Sequence, residues 1–387
     1  MYYCGIDVAK MGHVVSVIDD TGKVVNQGVP ISNDRIGFEK LINLLQPYQG
    51  EIQVGLEATG HYWLALYDYL CHLDYSLSVI NPLQVKAFRR MDIRKRKTDR
   101  LDSVAISEFL RFAKPGKTSV DLPVILQLKE LTRFRFRLVQ QIGDCKRKII
   151  SILDRVFPEY EQLFSSVFLA SSRQLLHKAV TADEFAAFDL TELEQILLTA
   201  SHRRLGTEKA REIQLKASQS VGVSFLTDAI HIEIRCMLQL IELLEEQCSQ
   251  VETKVEELVN TIPHHITTIP GIGKVTGAML LAEIGDINRF PAPQQLVAYA
   301  GIDASVFKTG QFEGDKMHMS KRGSHYLRYA LWQAAIASLL HNPEMKQYYD
   351  KKRAEGKEHG VAMGAVCHKL LGNIYVIMKE QRPYVTH

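Results

Sequence analysis

The chain contains no run of about 18 apolar residues, so the sequence predicts no membrane-spanning helix. Its six cysteines (Cys4, Cys71, Cys145, Cys236, Cys248, Cys367) are scattered, with no C-x-x-C pair. That spacing excludes a disulfide framework and a structural zinc site, and predicts buried thiols. The fourteen histidines are equally dispersed. The one adjacent pair, His264-His265, lacks a second pair at ligand spacing and reads as ordinary exposed or satisfied histidines. The opening residues "MYYCGIDVAK" show no basic head followed by an apolar run; the expectation is no secretory signal and a cytoplasmic protein. A phosphate-binding loop of the ATPase type is also missing. Around "IPGIGKV", Thr268 stands where its first glycine belongs and Val275 replaces the required Ser/Thr.

What is present is an ordinary soluble composition over 387 residues, 46% hydrophobic and 24% charged. That length allows two or three domains with real cores. The net charge of +3 hides an uneven distribution. Residues 86–100 hold eight Lys/Arg against Asp92 and Asp99. Residues 133–148 hold six Lys/Arg against Asp144, and residues 242–257 hold six Glu against Lys254. Any one stripe alone is most simply a solvated helix face; together they point to a nucleic-acid surface on a nearly neutral protein.

Along the N-terminal third, short β-branched runs alternate with helical ones. "YYCGIDVA", "HVVSVIDD" and "KVVNQGVP" read as strands, with a hairpin turn at "DDTG". A helix, the strand "EIQVGLEA", a helix, the strand "YSLSVINP", a basic segment and the helix "TDRLDSVAISEFLRFA" follow. Three antiparallel strands followed by parallel strands reached through helices is the order of a ribonuclease-H-like α/β fold, and of the actin-like ATPases that share its core. Proline and glycine in "AKPGKTSVDLP" mark a boundary. The expected division is 1–122, 123–262 and 263–387.

The middle is helical. Ile234, Met237, Ile241, Leu244, Cys248, Val251, Val255, Leu258 and Ile262 step by alternating threes and fours, a coiled-coil seam over four heptads. The sequence does not choose between its two possible partners, a second subunit, the slightly preferred expectation, and the helix around residues 126–154 folded back. The third region opens with "ITTIPGIGKVTGAMLLAEIGDINRF", the pattern of a helix-hairpin-helix whose turn exposes N–H groups to a phosphate, with Lys274 beside it. A tight turn between helices without a ligand is the equally open alternative. A basic loop, "SKRGSHYLR", leads into an apolar helix, and the tail from about residue 343 reads as weakly helical.

Asp99 and Asp102 sit one turn apart at the start of a helix, inside the basic run. Acids in a first turn commonly just favour the helix N-terminus. Yet Asp7 ends the first predicted strand and Glu57 the fourth, and those strands are neighbours in a ribonuclease-H-like sheet. Four gathered carboxylates repel unless they hold cations. Oxygen-only ligation selects Mg2+ or Mn2+, which can polarise a phosphodiester.

The segments "GIDVAK", "LEATGHYW", "KTDRLDSVAI", "IPGIGKVTGAMLLAEIGDINRF", "LVAYAGI" and "SKRGSHYLR" together resemble the Asp-Glu-Asp-Asp transposases of the insertion-sequence-110 family, the bridge-RNA-guided recombinases. The resemblance spans roughly residues 3–345. It implies a RuvC-like domain with the tetrad Asp7, Glu57, Asp99 and Asp102, a coiled-coil segment, and a C-terminal transposase domain with a nucleophilic serine. Ser320 matches that serine, with Ser324 and Ser305 as fallbacks; Lys321 and Arg322 beside it could ease alkoxide formation and grip the phosphate. The implied partners are donor and target DNA, a structured guide RNA from the same element, and further copies of the chain. Arg94, Lys95, Arg96, Lys97, Arg100, Lys274, Lys321, Arg322 and Arg328 are the expected nucleic-acid contacts. One departure stands out: Thr309 precedes Gly310 where a serine is expected. The rival readings are a Holliday-junction-resolvase-like nuclease using water, and an actin-like ATPase or sugar kinase. The kinase reading lacks a second glycine-rich phosphate loop. A non-catalytic RNA-binding protein is a third.

Overall fold

The computed structural model describes residues 1–58, 60–73, 75–89, 98–115, 123–223, 225–303, 308–309, 312–313 and 319–385. The chain forms two compact units, Met1–Val120 and Asp121–His387. They part within the predicted Pro/Gly boundary.

The first unit follows the expected order: β1 (Tyr2–Val8), β2 (Gly12–Asp19), β3 (Val24–Ser32), α1 (Arg35–Leu45), β4 (Ile52–Glu57), α2 (Trp63–Cys71) and β5 (Ser76–Ile80). An unforeseen helix, α3 (Pro82–Arg89), precedes α4 (Asp99–Ala113). The sheet order is β3-β2-β1-β4-β5, with β1–β2 and β2–β3 antiparallel and β1–β4 and β4–β5 parallel. This is a ribonuclease-H-like sheet. At the β2–β3 turn, the Asp19 carboxylate accepts from the Thr21 and Lys23 amides, both at 2.9 Å.

The two faces follow strand alternation. Cys4, Ile6, Val54 and Leu56 pack on one side with Leu41 and Leu45 of α1 and Leu66 and Leu70 of α2. The other side carries α4, and small residues let it come close. Gly5 pairs with Ser16 and with Gly55, and Gly55 pairs with Ser78. A Cβ on Gly5 would lie 2.3 Å from the Ser103 carbonyl oxygen, and one on Gly55 2.7 Å from Leu110 Cδ1. Ser16 and Ser103 hydroxyls meet at 2.7 Å across the same gap. This lane of small side chains sets the height of α4 over the sheet, and Thr98 caps its start by accepting from the Leu101 amide.

The second unit is nearly all helix: α5 (Pro123–Val156), α6 (Ala170–Leu176), α7 (Ala182–Ala187), α8 (Leu190–Ala200), α9 (Thr207–Ser218), α10 (Thr227–Val259), α11 (Lys274–Ile284), α12 (Pro293–Ala300), α13 (His325–His341), α14 (Pro343–Ala354) and α15 (His359–Glu380). A short hairpin, β6 (Lys308–Thr309) and β7 (Phe312–Glu313), falls between α12 and α13. The 34-residue α5 and 33-residue α10 pack side by side. At 1.5 Å per residue each is about 50 Å long.

This pairing corrects the expectation of a subunit contact at the predicted seam. Ile234, Ile241, Leu244, Cys248 and Val255 are buried inside the chain. The reason is a matching row on α5: Leu138, Ile142, Cys145, Ile149, Ile152 and Val156, all buried, repeat with the same alternation of threes and fours. The charge stripes meet here too. Arg135 pairs with Glu252 at 2.6 Å and Lys146 with Glu245 at 3.6 Å, so part of the basic run 133–148 faces the acidic run 242–257 rather than solvent.

One apolar core joins α5, α10 and the small helices α6 to α9 around Phe157, Tyr160 and Phe185. Another joins α11 to α15 around Leu280, Leu331 and Leu370. The tail is therefore better ordered than its sequence predicts. α15 is long and apolar enough by length and composition to cross a membrane, but Met363, Val366, Leu370, Leu371 and Ile374 are buried in this core. The predicted helix-hairpin-helix also differs. Its first arm is a single 3-10 turn, Ile266–Thr268. Gly271 adopts φ +95°, and a Cβ there would lie 2.5 Å from the Ser338 backbone nitrogen. The Pro-Gly turn thus docks on α13, where the Ser338 hydroxyl donates to the Pro270 carbonyl at 3.2 Å.

Candidate active site

In the first unit, the parallel register pairs Ile6 with Leu56. The next residue on each strand is Asp7 and Glu57. Both share strand parity with Gly5 and Gly55, so both belong to the face that carries α4. Asp102, one turn into α4, is 8% exposed and forms an ion pair with Arg89 at the end of α3. Asp99 is the first residue of α4; its side chain lies outside the described part. Three of the four predicted acids are thus carried by elements that meet on one face of the sheet.

These residues fit a hard divalent cation. The donors are all carboxylate oxygens, the set that favours Mg2+ or Mn2+. Arg89 already shows that Asp102 takes a positive charge at this place. Arg89 belongs to the run read from sequence as phosphate-binding, and its partner here is a carboxylate. Arg94, Lys95, Arg96 and Lys97 lie outside the described residues. Arg100 is exposed, with its stem lying where a Cβ on Gly28 would fall.

In the second unit, Ser320 sits in a turn tied to the end of α12. Its amide donates to the Asp303 carbonyl at 2.9 Å, the Lys321 amide to Gly301 at 3.1 Å, and the Ser324 amide to Tyr299 at 2.9 Å. The Ser320 hydroxyl donates to the Asp303 carboxylate. Lys321 holds the left-handed φ of +52°, a conformation that side-chain-bearing residues adopt only under local constraint. Lys321 and Arg322 are exposed, while Arg328 donates to the Ala300 carbonyl at 3.0 Å.

Ser324 is occupied differently. Its hydroxyl caps α13 by accepting from the Leu327 amide at 3.1 Å and donates to Glu283 at 2.7 Å. Ser320 also donates and accepts, to the Asp303 carboxylate and from the Arg322 amide at 3.4 Å, but in an exposed basic turn rather than against a buried carboxylate. Ser305 lies outside the described residues, and Thr309 lies in β6. Lys274 pairs with Glu256, so the α11 N-terminus carries an acid beside its lysine.

Sequence reasoning missed Asp303 and Glu283, and read Arg89 and Arg133 as phosphate contacts where the structure pairs them with carboxylates. Glu283 is fully buried on α11. Arg133 grips it with two bonds, Nε at 2.6 Å and Nη2 at 3.0 Å. Burial by itself would raise the glutamate's pKa; the guanidinium and the Ser324 hydroxyl overcome this and bring it below its ordinary value. A signal existed: a lone glutamate inside the apolar run "GAMLLAEIG" needs a buried partner.

Comparison with known proteins bears on this geometry. Residues 4–158 match the DEDD_Tnp_IS110 model, described as a transposase, and residues 264–350 match the model of the transposase IS116/IS110/IS902 family. The chain belongs to the IS110 family of transposases. Its relatives include the transposase for insertion sequence element IS1111A of Coxiella burnetii, 24% identical over 98% of this chain and 90% of the relative. The pilin gene-inverting protein of Moraxella bovis is 23% identical, covering 99% of this chain and 97% of the relative. Its counterpart in Moraxella lacunata is 24% identical over the same shares. As an IS110-family member the chain is an enzyme that acts on DNA. Its first family match spans the carboxylate-bearing sheet, and its second spans Glu283, Asp303 and Ser320.

Proposed function

We propose that the chain is an RNA-guided recombinase that moves its own insertion sequence, with Ser320 as nucleophile and a tetrad of Asp7, Glu57, Asp99 and Asp102 for Mg2+ or Mn2+. The observation that carries the tetrad is the placement of Asp7, Glu57 and Asp102 on elements meeting on one face. Bound there, the cation would polarise a DNA phosphodiester. Ser320 is supported by its hydrogen bond to Asp303. The Oγ–phosphorus bond forms as one backbone P–O bond breaks. The serine proton passes to the Asp303 carboxylate, and the departing oxygen takes a proton from water. Lys321 and Arg322 hold the phosphate oxygens. Attack by a second strand's hydroxyl on the phosphoserine restores a phosphodiester and frees Ser320.

Guide RNA is read from the family resemblance and from the basic residues around α4. Base pairing of that RNA selects donor and target DNA, in the cytoplasm. A homo-oligomer is supported by an unfilled apolar row on α10, opposite the seam: Ile232, Cys236 and Leu243 are exposed at helical spacing. The deciding experiment incubates the Ser320→Ala protein with DNA carrying its element's ends and the adjoining noncoding RNA. Loss of both nicking and joining supports the serine mechanism. Continued nicking would replace it with water attack of the resolvase type.

A further inference from the structure

Beside its bonds to residues 299–303, the basic turn at residues 320–323 is linked to the second unit's core through a fully buried carboxylate. Glu283 accepts from the Ser324 hydroxyl, which caps α13 immediately after the turn. The other side of Glu283 is held by the two-pronged Arg133 bond from α5. Arg133 in turn lies over the Tyr326 ring, 4.6 Å from its centre, and Phe136 packs edge-on against Tyr326 and Tyr329 at 5.2 and 4.7 Å. Both ends of the turn are therefore fixed. Backbone bonds to residues 299–303 hold one side, and the Glu283–Ser324 bond holds the start of α13. Gly323 reinforces this closeness: at φ +128°, a Cβ there would lie 2.2 Å from the Tyr299 carbonyl oxygen.

We infer that Glu283 and Arg133 are positioning residues for DNA strand exchange: their buried ion pair, acting through Ser324, holds Lys321 and Arg322 at the place where a DNA phosphate is gripped. Neither touches DNA. A charged pair in a core is seldom the cheapest way to fill space, since two well-packed apolar side chains commonly serve stability as well. What the pair supplies here is direction. A charged carboxylate accepts the Ser324 hydroxyl more strongly than a neutral group would, and the guanidinium fork orients that carboxylate. Displacing a catalytic constellation by about 1 Å can cost on the order of a hundredfold in rate, so a held cap has consequences beyond folding.

This inference rests on the reading of residues 320–323 as the DNA-gripping turn, and the experiment separates the two. The full-length protein is compared with Glu283→Gln, with the double variant Arg133→Met plus Glu283→Leu, and with Lys321→Ala plus Arg322→Ala. Thermal midpoint, affinity for duplex DNA carrying the element's ends, and single-turnover joining rate are measured for each. The apolar pair guards against a variant that merely fails to fold. The expected result is a near-normal midpoint for the apolar pair, little change in DNA affinity, and a joining rate down by about tenfold or more in it and in Glu283→Gln. A joining rate that recovers together with the midpoint would make the pair purely structural and overturn the inference. Full activity in the Lys321/Arg322 variant would remove the reading beneath it. Wild-type activity in Glu283→Gln beside an inactive Lys321/Arg322 variant would overturn the inference alone.

Discussion

Two ion pairs, one in each unit, solve the problem of a poorly solvated carboxylate in opposite ways. Asp102 and Arg89 meet near the rim of the sheet, with 12% and 28% of their side chains exposed. Glu283 and Arg133 meet where the glutamate has no exposure at all. Arg89 sits partly exposed at the end of a short helix. Arg133 is clamped by two hydrogen bonds and an aromatic ring. Under the proposed function the first pair occupies the place of a metal, whereas the second is a fixed contact inside a core.

The comparison can be broken most forcefully at the acids. Asp7→Asn should reduce DNA joining by about a thousandfold or more, a loss of the size seen when a principal catalytic group is removed. A variant that joins DNA normally would remove Asp7 from the site. Next in size is Arg133→Met. It leaves Glu283 buried without its counter-charge and should cost about 3–5 kcal/mol in chemical denaturation of the second unit. A loss under about 1 kcal/mol would mean that water reaches the glutamate.

Arg89→Ala sharpens the contrast. If the arginine stands in for a cation, its removal should destabilise the metal-free first unit by about 1–3 kcal/mol, and millimolar Mg2+ should recover most of that loss. Titration with Mn2+ followed by electron paramagnetic resonance should also show tighter binding than wild type. Weaker Mn2+ binding would make Arg89 a supporting residue rather than a competitor.

The pH dependence separates the pairs further. The folded pKa of Glu283 lies below its ordinary value. Its contribution to stability is therefore complete at pH values above the unfolded glutamate's titration, and is lost as the pH falls through the lower, folded value. Acid unfolding of wild type should be steeper than that of the apolar Arg133/Glu283 double variant; equal slopes would contradict the assignment. The smallest effect belongs to Lys274→Gln. Its pair with Glu256 is largely exposed, so stability should move by less than about 1 kcal/mol. The salt slope of DNA binding should drop by about one if Lys274 meets a phosphate.

Much of the first unit was legible because its signals are local. Alternating β-branched runs and the "DDTG" turn specify strands and a hairpin with no help from distant residues. Thr98 before Asp99 specifies where α4 begins. The tail was not legible: α14 is strongly polar and buries Met345, while α15 has apolar residues on several sides, so no single face stands out until α13 is there to cover them. The seam on α10 was visible, but its partner was not, since one heptad row fits a second copy as readily as α5. The basic stripe at 133–148 misled for the same reason. Arg133 and Arg135 look like phosphate contacts until their acids, 150 and 117 residues away, are placed opposite them.

The amino-acid order by itself determined most elements of the first unit and the positions of the candidate acids, because propensity and periodicity act over a few positions; the candidate serine came from the family resemblance. Only the tertiary structure decided which charges neutralise each other. Coulomb attraction depends on distance and on the solvent excluded between groups, and both are set by packing that joins residues far apart in the chain.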